Sequence, residues 1–134
     1  MAPTKKTPTR PRDIIETLFK VECKNPKDHD GQRVIPFLLN PAQRMIDDAA
    51  ETHKMHLILK ARQLGFSTYV EARYLAKCMT VEGTHAAVVS HEKQATTRLL
   101  RRVKFFLENL DNQEEIVPLE YDNKYELTFP RTKS

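Results

Sequence analysis

The sequence predicts an α/β fold in which helices flank a parallel sheet. Two short apolar runs, residues 55–60 (MHLILK) and 85–90 (HAAVVS), have the length and composition of buried strands. Each run is followed by a longer segment with helical periodicity, residues 67–80 and 91–110. Alternation of strands and helices favours parallel strands joined by crossover helices, so these observations predict the fold class. They predict no function by themselves.

Two elements are predicted before the first of these strands. Residues 12–22 have apolar side chains at helical spacing, with Asp13 as the candidate N-cap. Residues 33–40 (RVIPFLLN) are apolar and are expected to be extended. The Asn-Pro pair at 40–41 fits the N-cap and first position of a helix over residues 41–54.

The later helices differ in their surface patterns. The helix over 67–80 begins at Ser67 and places four apolar side chains on one face: Ala72, Leu75, Ala76 and Met79. The helix over 91–110 is amphipathic, with one side formed by Leu99, Val103, Phe106 and Leu110 and the other by Arg98, Arg101, Arg102 and Lys104. A last strand is predicted over residues 124–129.

The bulk composition fits one soluble domain. The chain has 134 residues, of which 40% are hydrophobic and 30% charged. No apolar run approaches the roughly 18 residues that span a bilayer, and the basic N-terminus lacks the apolar core of a secretory signal. Cys23 and Cys78 have neither metal nor redox spacing, so we expect free thiols in a cytoplasmic protein.

The net charge of +4 is concentrated in the first twelve residues. Lys5, Lys6, Arg10 and Arg12 supply four positive charges and no acid precedes Asp13, so the remaining 122 residues balance to zero. The chain is therefore divided into a disordered basic tail, residues 1–12, and a globular part, residues 13–134. A solvated leader accounts for such a tail, and an arm that binds nucleic acid is the alternative.

Residues 57–70 (LILKARQLGFSTYV) have the outline of a phosphate-binding loop. An apolar strand leads into a turn with Gly65, and Ser67 and Thr68 open a helix. A helix N-terminus offers unpaired N–H groups and a partial positive charge to an anion, and glycine lets the backbone approach it. The common pattern G-x-x-x-x-G-K-[ST] places lysine where this chain has Phe66.

The positive charge of such a loop has to come from another position. Lys60 ends the strand and Arg62 lies in the loop, and either could reach a phosphate. Ser67 is placed to ligate magnesium. Gln43 opens the helix that precedes the loop, and its amide can both donate to and accept from the edges of adenine. A plain strand-to-helix connection with exposed cations, and an exposed helical glutamine, are the alternatives.

Three segments resemble the N-terminal ATPase domain of the large terminase subunit of tailed phages: LNPAQ, LILKARQLGFST and HAAVVSHEKQATTRLLRRVKFFLE. The resemblance covers about residues 12–134. Its most specific part is R-Q-L-G-x-[ST] in register with the upstream N-P-x-Q. Some members of this family have a deviant Walker A motif, K-x-R-x-x-G-x-S, in which the lysine moves to the start of the loop, and Lys60, Arg62, Gly65 and Ser67 match it.

The resemblance implies a role for each matching residue. Gln43 would contact adenine, Lys60 the β- and γ-phosphates, and Arg62 the γ-phosphate. Gly65, Phe66 and Ser67 would offer backbone N–H groups, and the hydroxyl of Ser67 or Thr68 would reach magnesium. The implied ATP-binding set is Gln43, Lys60, Arg62, Gln63, Gly65, Phe66, Ser67 and Thr68, with ATP and Mg²⁺ as cofactors.

At the level of the molecule, the resemblance implies a truncated P-loop NTPase sheet of the ASCE type. The complete protein would use ATP to translocate double-stranded DNA into the procapsid, and would also carry a nuclease. Its partners would be DNA, the portal protein, the small terminase subunit and further copies in a homo-oligomeric ring. It would work in the host cytoplasm at the procapsid portal and would not involve a membrane.

The acidic residues of a hydrolytic site are not found in this sequence. The nearest match to a Walker B strand is AAVVSHE, with Glu92 one place late, and capping of a helix by Ser90 or Glu92 explains that segment better. We expect a chain that binds ATP but is inactive alone. The alternatives are an interaction or DNA-binding protein that uses its basic surfaces, and another ATPase such as a helicase.

Overall fold

The computed structural model describes residues 10–60, 64–111, 121–122 and 126–134. Its helices are α1 (Pro11–Leu18), α2 (Pro41–Thr52), α3 (Phe66–Thr80) and α4 (Lys93–Glu108). Its strands are β1 (Lys20–Glu22), β2 (Val34–Pro36), β3 (Tyr121–Asp122) and β4 (Leu127–Thr128), and Pro26–His29 form a 3₁₀ turn between β1 and β2.

The strands form two antiparallel pairs, so the prediction of a parallel P-loop sheet is wrong. β1 pairs with β2, with Val21 opposite Ile35, and β3 pairs with β4. No parallel pair occurs within the described parts of the chain. The two apolar runs predicted as parallel strands, residues 55–60 and 85–90, are irregular.

Those two runs illustrate why an apolar composition alone does not make a strand. A strand needs a hydrogen-bonding neighbour and a buried face, since strand propensity mostly reflects packing. Leu57 and Leu59 are fully exposed, and Met55 and Val89 are each 90% exposed. Because neither run finds a neighbouring strand among the described residues, their apolar side chains remain in contact with solvent.

The N-terminal segment forms a helix and a strand where one longer helix was predicted. α1 begins with Pro11 at its first position and Arg10 as N-cap, so Asp13 lies in the first turn and the predicted N-cap was wrong. The helix ends at Leu18, and β1 follows. Phe37 N–H donates to the carbonyl oxygen of Phe19 at 2.9 Å, and this bond holds the extended segment against the end of α1.

α3 is the central element of the fold. It packs against α1, α2 and α4, and the four apolar residues predicted to share a face are all buried. α4 contributes Phe106, whose ring stacks on Phe19 and Phe37 at centroid distances of 5.3 and 5.9 Å. The buried core consists of Ile14, Ile15, Phe19, Phe37, Leu39, Tyr69, Ala72, Leu75, Ala76, Cys78, Met79, Phe106, Leu107, Leu110 and Phe129.

Two smaller features complete the fold. Cys23 and Cys78 are both free thiols, as predicted, and burial raises the pKa of Cys78. β4 lies inside the strand predicted over 124–129, of which residues 124 and 125 are outside the described chain. None of the described helices has the length and apolar character needed to cross a membrane.

Candidate functional site

The N-terminus of α3 forms the central part of the predicted site. Gly65 is the N-cap, with φ +76° and ψ 12°, a left-handed conformation that favours glycine. The helix begins at Phe66, one residue before the predicted start. Phe66 is buried, Ser67 is exposed and Thr68 is partly buried. Because no described side chain caps this end, the N–H groups of the first turn stay available for an anion.

The N-terminus of the preceding helix, in contrast, is fully capped. The Asn40 side-chain oxygen accepts from the Gln43 backbone N–H, and the Asn40 N–H donates to Gln43 Oε1, both at 2.9 Å. Pro41 occupies the first helical position, as predicted. These reciprocal bonds form a capping box, which fixes the Gln43 side chain as well as the entry of the chain into α2.

The capping box also holds the end of the loop that leads into α3. Gln43 Nε2 donates to the Gly65 carbonyl oxygen at 2.9 Å, and Asn40 Nδ2 donates to the Leu64 carbonyl oxygen at 3.4 Å. A Cβ atom on Gly65 would lie 2.8 Å from Gln43 Nε2. The Gln43 amide therefore fills the space beside Gly65 that a larger residue would need, and it ties the two helix N-termini together.

Gln43 thus has a structural role that the sequence reasoning did not assign. The side chain is 4% exposed, and both ends of its amide are bonded within the chain. Its contact with adenine stays a prediction, and in the observed arrangement the amide serves the loop. Asn-Pro-x-Gln is itself a capping-box sequence, so the Asn40–Gln43 pairing was readable in advance.

Of the two cationic residues of the predicted site, Lys60 and Arg62, the structure describes only Lys60. Lys60 is exposed at the end of the irregular segment 55–60 and has no acidic partner in the described chain. Arg62 and Gln63 lie outside the described residues. The structure therefore describes the glycine, the helix N-terminus and the capping box of the predicted site, together with one of its two cations.

The predicted cofactors fit this arrangement in part. An uncapped helix N-terminus behind a glycine suits a phosphate, and the exposed Ser67 hydroxyl suits a hard cation. Within the described residues there is no group of three or more His, Cys, Asp or Glu side chains that could hold a metal ion. The site therefore offers the N–H donors of the first turn of α3 to a phosphate. The Ser67 hydroxyl is available to a magnesium ion that is bound to that phosphate.

The basic side of α4 is partly neutralised by acids. Arg98 pairs with Glu92 at 3.3 Å, and Arg102 pairs with Glu71 of α3 at 3.2 Å. Glu92 occupies the N-cap position of α4 without a side-chain capping bond, and the Ser90 hydroxyl donates to the Glu92 carbonyl oxygen. Glu92 is therefore the N-cap residue, but neither its side chain nor that of Ser90 makes the predicted capping bond within the described chain. Arg98 and Arg102 of this basic face both have acidic partners.

Comparison of the chain with protein-family models, with curated proteins and with solved structures found no match. The geometry of the site and the sequence motifs therefore carry the functional argument alone.

Proposed function

We propose that the chain binds the phosphates of Mg-ATP at the N-terminus of α3. The observation that carries the proposal is the geometry of Gly65. It occupies the N-cap position of α3 in a left-handed conformation, without a side-chain capping bond, and its carbonyl oxygen accepts a hydrogen bond from Gln43. With the Leu64 and Gly65 carbonyl oxygens bonded to α2, the free polar groups at this end are donors. These N–H donors and the partial positive charge of the helix N-terminus both favour the binding of a phosphate.

The proposed roles of the side chains follow their chemistry. Lys60 supplies a mobile positive charge, since it is exposed and has no acidic partner in the described chain. The Ser67 hydroxyl ligates the magnesium ion that accompanies the nucleotide. When bound, magnesium neutralises charge between the phosphates. This proposal needs no parallel sheet, because the donors belong to α3 itself.

At the level of the molecule we propose a component of a DNA-packaging motor of the large terminase kind. The support is the spacing of N-P-x-Q and K-x-R-x-x-G-x-S in this sequence, from Asn40 to Ser67. Double-stranded DNA, the portal protein, the small terminase subunit and a ring of further copies are the partners that this assignment proposes. The procapsid portal in the host cytoplasm is its proposed place of action. The proposal for this chain is nucleotide binding, without hydrolysis.

Lys60→Ala tests the proposal against Lys54→Ala as a matched control. Both lysines are exposed: Lys54 directly precedes the irregular segment 55–60, and Lys60 is its last residue. We expect Lys60→Ala to weaken Mg-ATP binding at least about tenfold, equivalent to 1.4 kcal/mol, because a charge-assisted contact with phosphate is lost. Lys54→Ala should leave the affinity unchanged. Isothermal titration calorimetry with Mg-ATP, and with Mg-AMP to isolate the phosphate contribution, measures both.

Equal affinities in the wild type and in Lys60→Ala would remove Lys60 from the site. Arg62→Ala is then the next variant, since the sequence leaves the choice between these two cations open. A wild-type chain that binds Mg-ATP no better than Mg-AMP would overturn phosphate recognition at this site.

A further inference from the structure

α2 and α3 are joined by three successive polar contacts. Gln43 bonds Gly65, Asp47 bonds the Tyr69 hydroxyl at 2.7 Å, and Glu51 pairs with Arg73 at 3.3 Å. We refer to the pairs Gln43–Gly65, Asp47–Tyr69 and Glu51–Arg73 as the α2–α3 ladder. Each pair is separated by 22 residues in sequence, and successive pairs are four residues apart on both helices.

A constant separation means that the two helices run parallel in a single register. Residues four apart lie one turn apart on the same face of a helix, so each step of the α2–α3 ladder is one helical turn. The first step holds the phosphate-binding end of α3. The other two steps lie progressively further from it along the helices: Asp47 of the second step is buried, and Glu51 of the third is exposed.

The middle step is buried and contains a charged group. Asp47 is fully buried, and its Oδ1 accepts from both the Tyr69 hydroxyl and Arg73 Nη1, the latter at 2.9 Å. Asp47 Oδ2 is buried with no hydrogen-bond partner in the described chain. Burial and the bond to Asp47 raise the pKa of Tyr69, so the hydroxyl remains a donor.

Such a step is a poor source of stability. A buried acceptor without a partner costs about 1–3 kcal/mol, and a buried ion pair often stabilises no more than apolar side chains of the same volume. Buried polar groups in helical assemblies can instead specify register, because sliding would separate charges that then have no other partner. Apolar side chains would tolerate such a slide.

We propose that Asp47, Tyr69 and Arg73 are positioning residues for the loop at the N-terminus of α3. They hold α3 in the one register against α2 that places the Gly65 carbonyl oxygen beside Gln43 Nε2. A slide of one turn, about 5.4 Å, would remove that bond and reorient the first-turn N–H groups. The positioning is a claim about the fold, and its effect on nucleotide affinity rests on the proposed function.

Two variants test the positioning, with one matched control. Asp47→Asn keeps the shape of the side chain and removes its charge, and Tyr69→Phe removes only the hydroxyl. Glu71→Gln is the control, because Glu71 is a buried carboxylate on the same helix that pairs with Arg102 of α4 instead. The first readout is NMR of the Gly65 amide and of the Gln43 side-chain NH₂ in the chain without nucleotide.

We expect both ladder variants to shift these resonances and to accelerate hydrogen exchange of the Gln43 NH₂, while Glu71→Gln leaves them unchanged. The variants should remain folded by far-UV circular dichroism. Tyr69→Phe is the milder change and keeps the test valid if Asp47→Asn does not fold. Unchanged Gly65 and Gln43 resonances in a folded ladder variant would overturn the positioning, whatever the chain binds.

The second readout is the dissociation constant for Mg-ATP. We expect Asp47→Asn to weaken binding about tenfold, comparable to the loss of an outer-shell partner at a metal site. Glu71→Gln should bind as the wild type does. Perturbed resonances with unchanged Mg-ATP affinity would overturn the link between the α2–α3 ladder and binding. A wild-type chain without Mg-ATP binding contradicts the proposed function, and the NMR result then decides the positioning alone.

Discussion

Gly65 meets a second constraint, besides its positive φ, that the other two glycines of the chain do not share. Gly31, Gly65 and Gly83 all have positive φ values, +80°, +76° and +72°. A Cβ at Gly31 or Gly83 would meet nothing within 4 Å, whereas at Gly65 it would meet Gln43 Nε2 at 2.8 Å. Gly65 is thus required by its backbone conformation and also by the amide that holds it.

Gly65→Ala should destabilise the fold more than Gly83→Ala, which is its matched control. Each substitution places alanine in a left-handed conformation, at a cost of about 1–2 kcal/mol. Only Gly65→Ala also displaces the Gln43 amide, and we expect about 1 kcal/mol more from that lost hydrogen bond. Urea denaturation of both variants measures the difference. Equal losses would mean that Gln43 does not occupy the space beside Gly65.

At the scale of elements, the contact between α3 and α4 includes a buried carboxylate. Glu71 is 7% exposed, and Arg102 of α4 lies 3.2 Å from it. Burial raises the pKa of Glu71 from 4.5 to about 7, and the charge of Arg102 opposes that rise without cancelling it. The neutral form is therefore favoured in the folded chain at mildly acidic pH.

This raised pKa predicts that the contribution of Glu71 to stability falls as pH rises from 4.5 to about 7. In that window the folded chain keeps a proton that the unfolded chain has released, so the slope is at most about 1.4 kcal/mol per pH unit. Below pH 4.5 the contribution of Glu71 to stability is fully present, and above about pH 7 it is lost. Glu71→Gln should flatten the pH dependence of the free energy of unfolding between pH 4.5 and about pH 7, as measured by urea denaturation. If the free energy of unfolding depends on pH identically in the wild type and in Glu71→Gln, the predicted role of Glu71 is wrong.

At the scale of the whole molecule, apolar side chains are divided between a core around α3 and two exposed segments. Leu75 is 4% exposed, while Leu57 and Leu59 are fully exposed. Exposed apolar clusters favour association with other apolar surfaces, whereas scattered exposed residues do not. The two segments are therefore expected to govern the solubility of the isolated chain and to contribute little to its stability.

Leu57→Asp/Leu59→Asp should change the free energy of unfolding by no more than about 0.5 kcal/mol, because neither side chain is buried. Leu75→Ala, the buried control, should cost about 2–5 kcal/mol. The double variant should also remain monomeric at higher concentration, which analytical ultracentrifugation measures. If the double variant loses as much unfolding free energy as Leu75→Ala does, the segment 55–60 packs against the core, contrary to this prediction.

Local patterns were sufficient to predict α2, α3 and α4, because capping and periodicity act over a few residues. Asn40 and Pro41 were recognised as N-cap and first helical residue, and the buried face of α3 was recognised from Ala72 to Met79. The strand after Phe19 was missed because Val21 continues a helical spacing. It pairs with Ile35 through a contact that only the fold creates.

The sequence by itself determined the positions of α2, α3 and α4, the glycine before α3 and the N-cap at Asn40, since each depends on neighbours within one or two turns. The tertiary structure decided which apolar segments are buried, because burial depends on partners distant in sequence. It left residues 55–60 and 85–90 exposed where a sheet was expected. It also placed Gln43 on the Gly65 carbonyl oxygen, 22 residues away, a contact set by the register of α2 against α3.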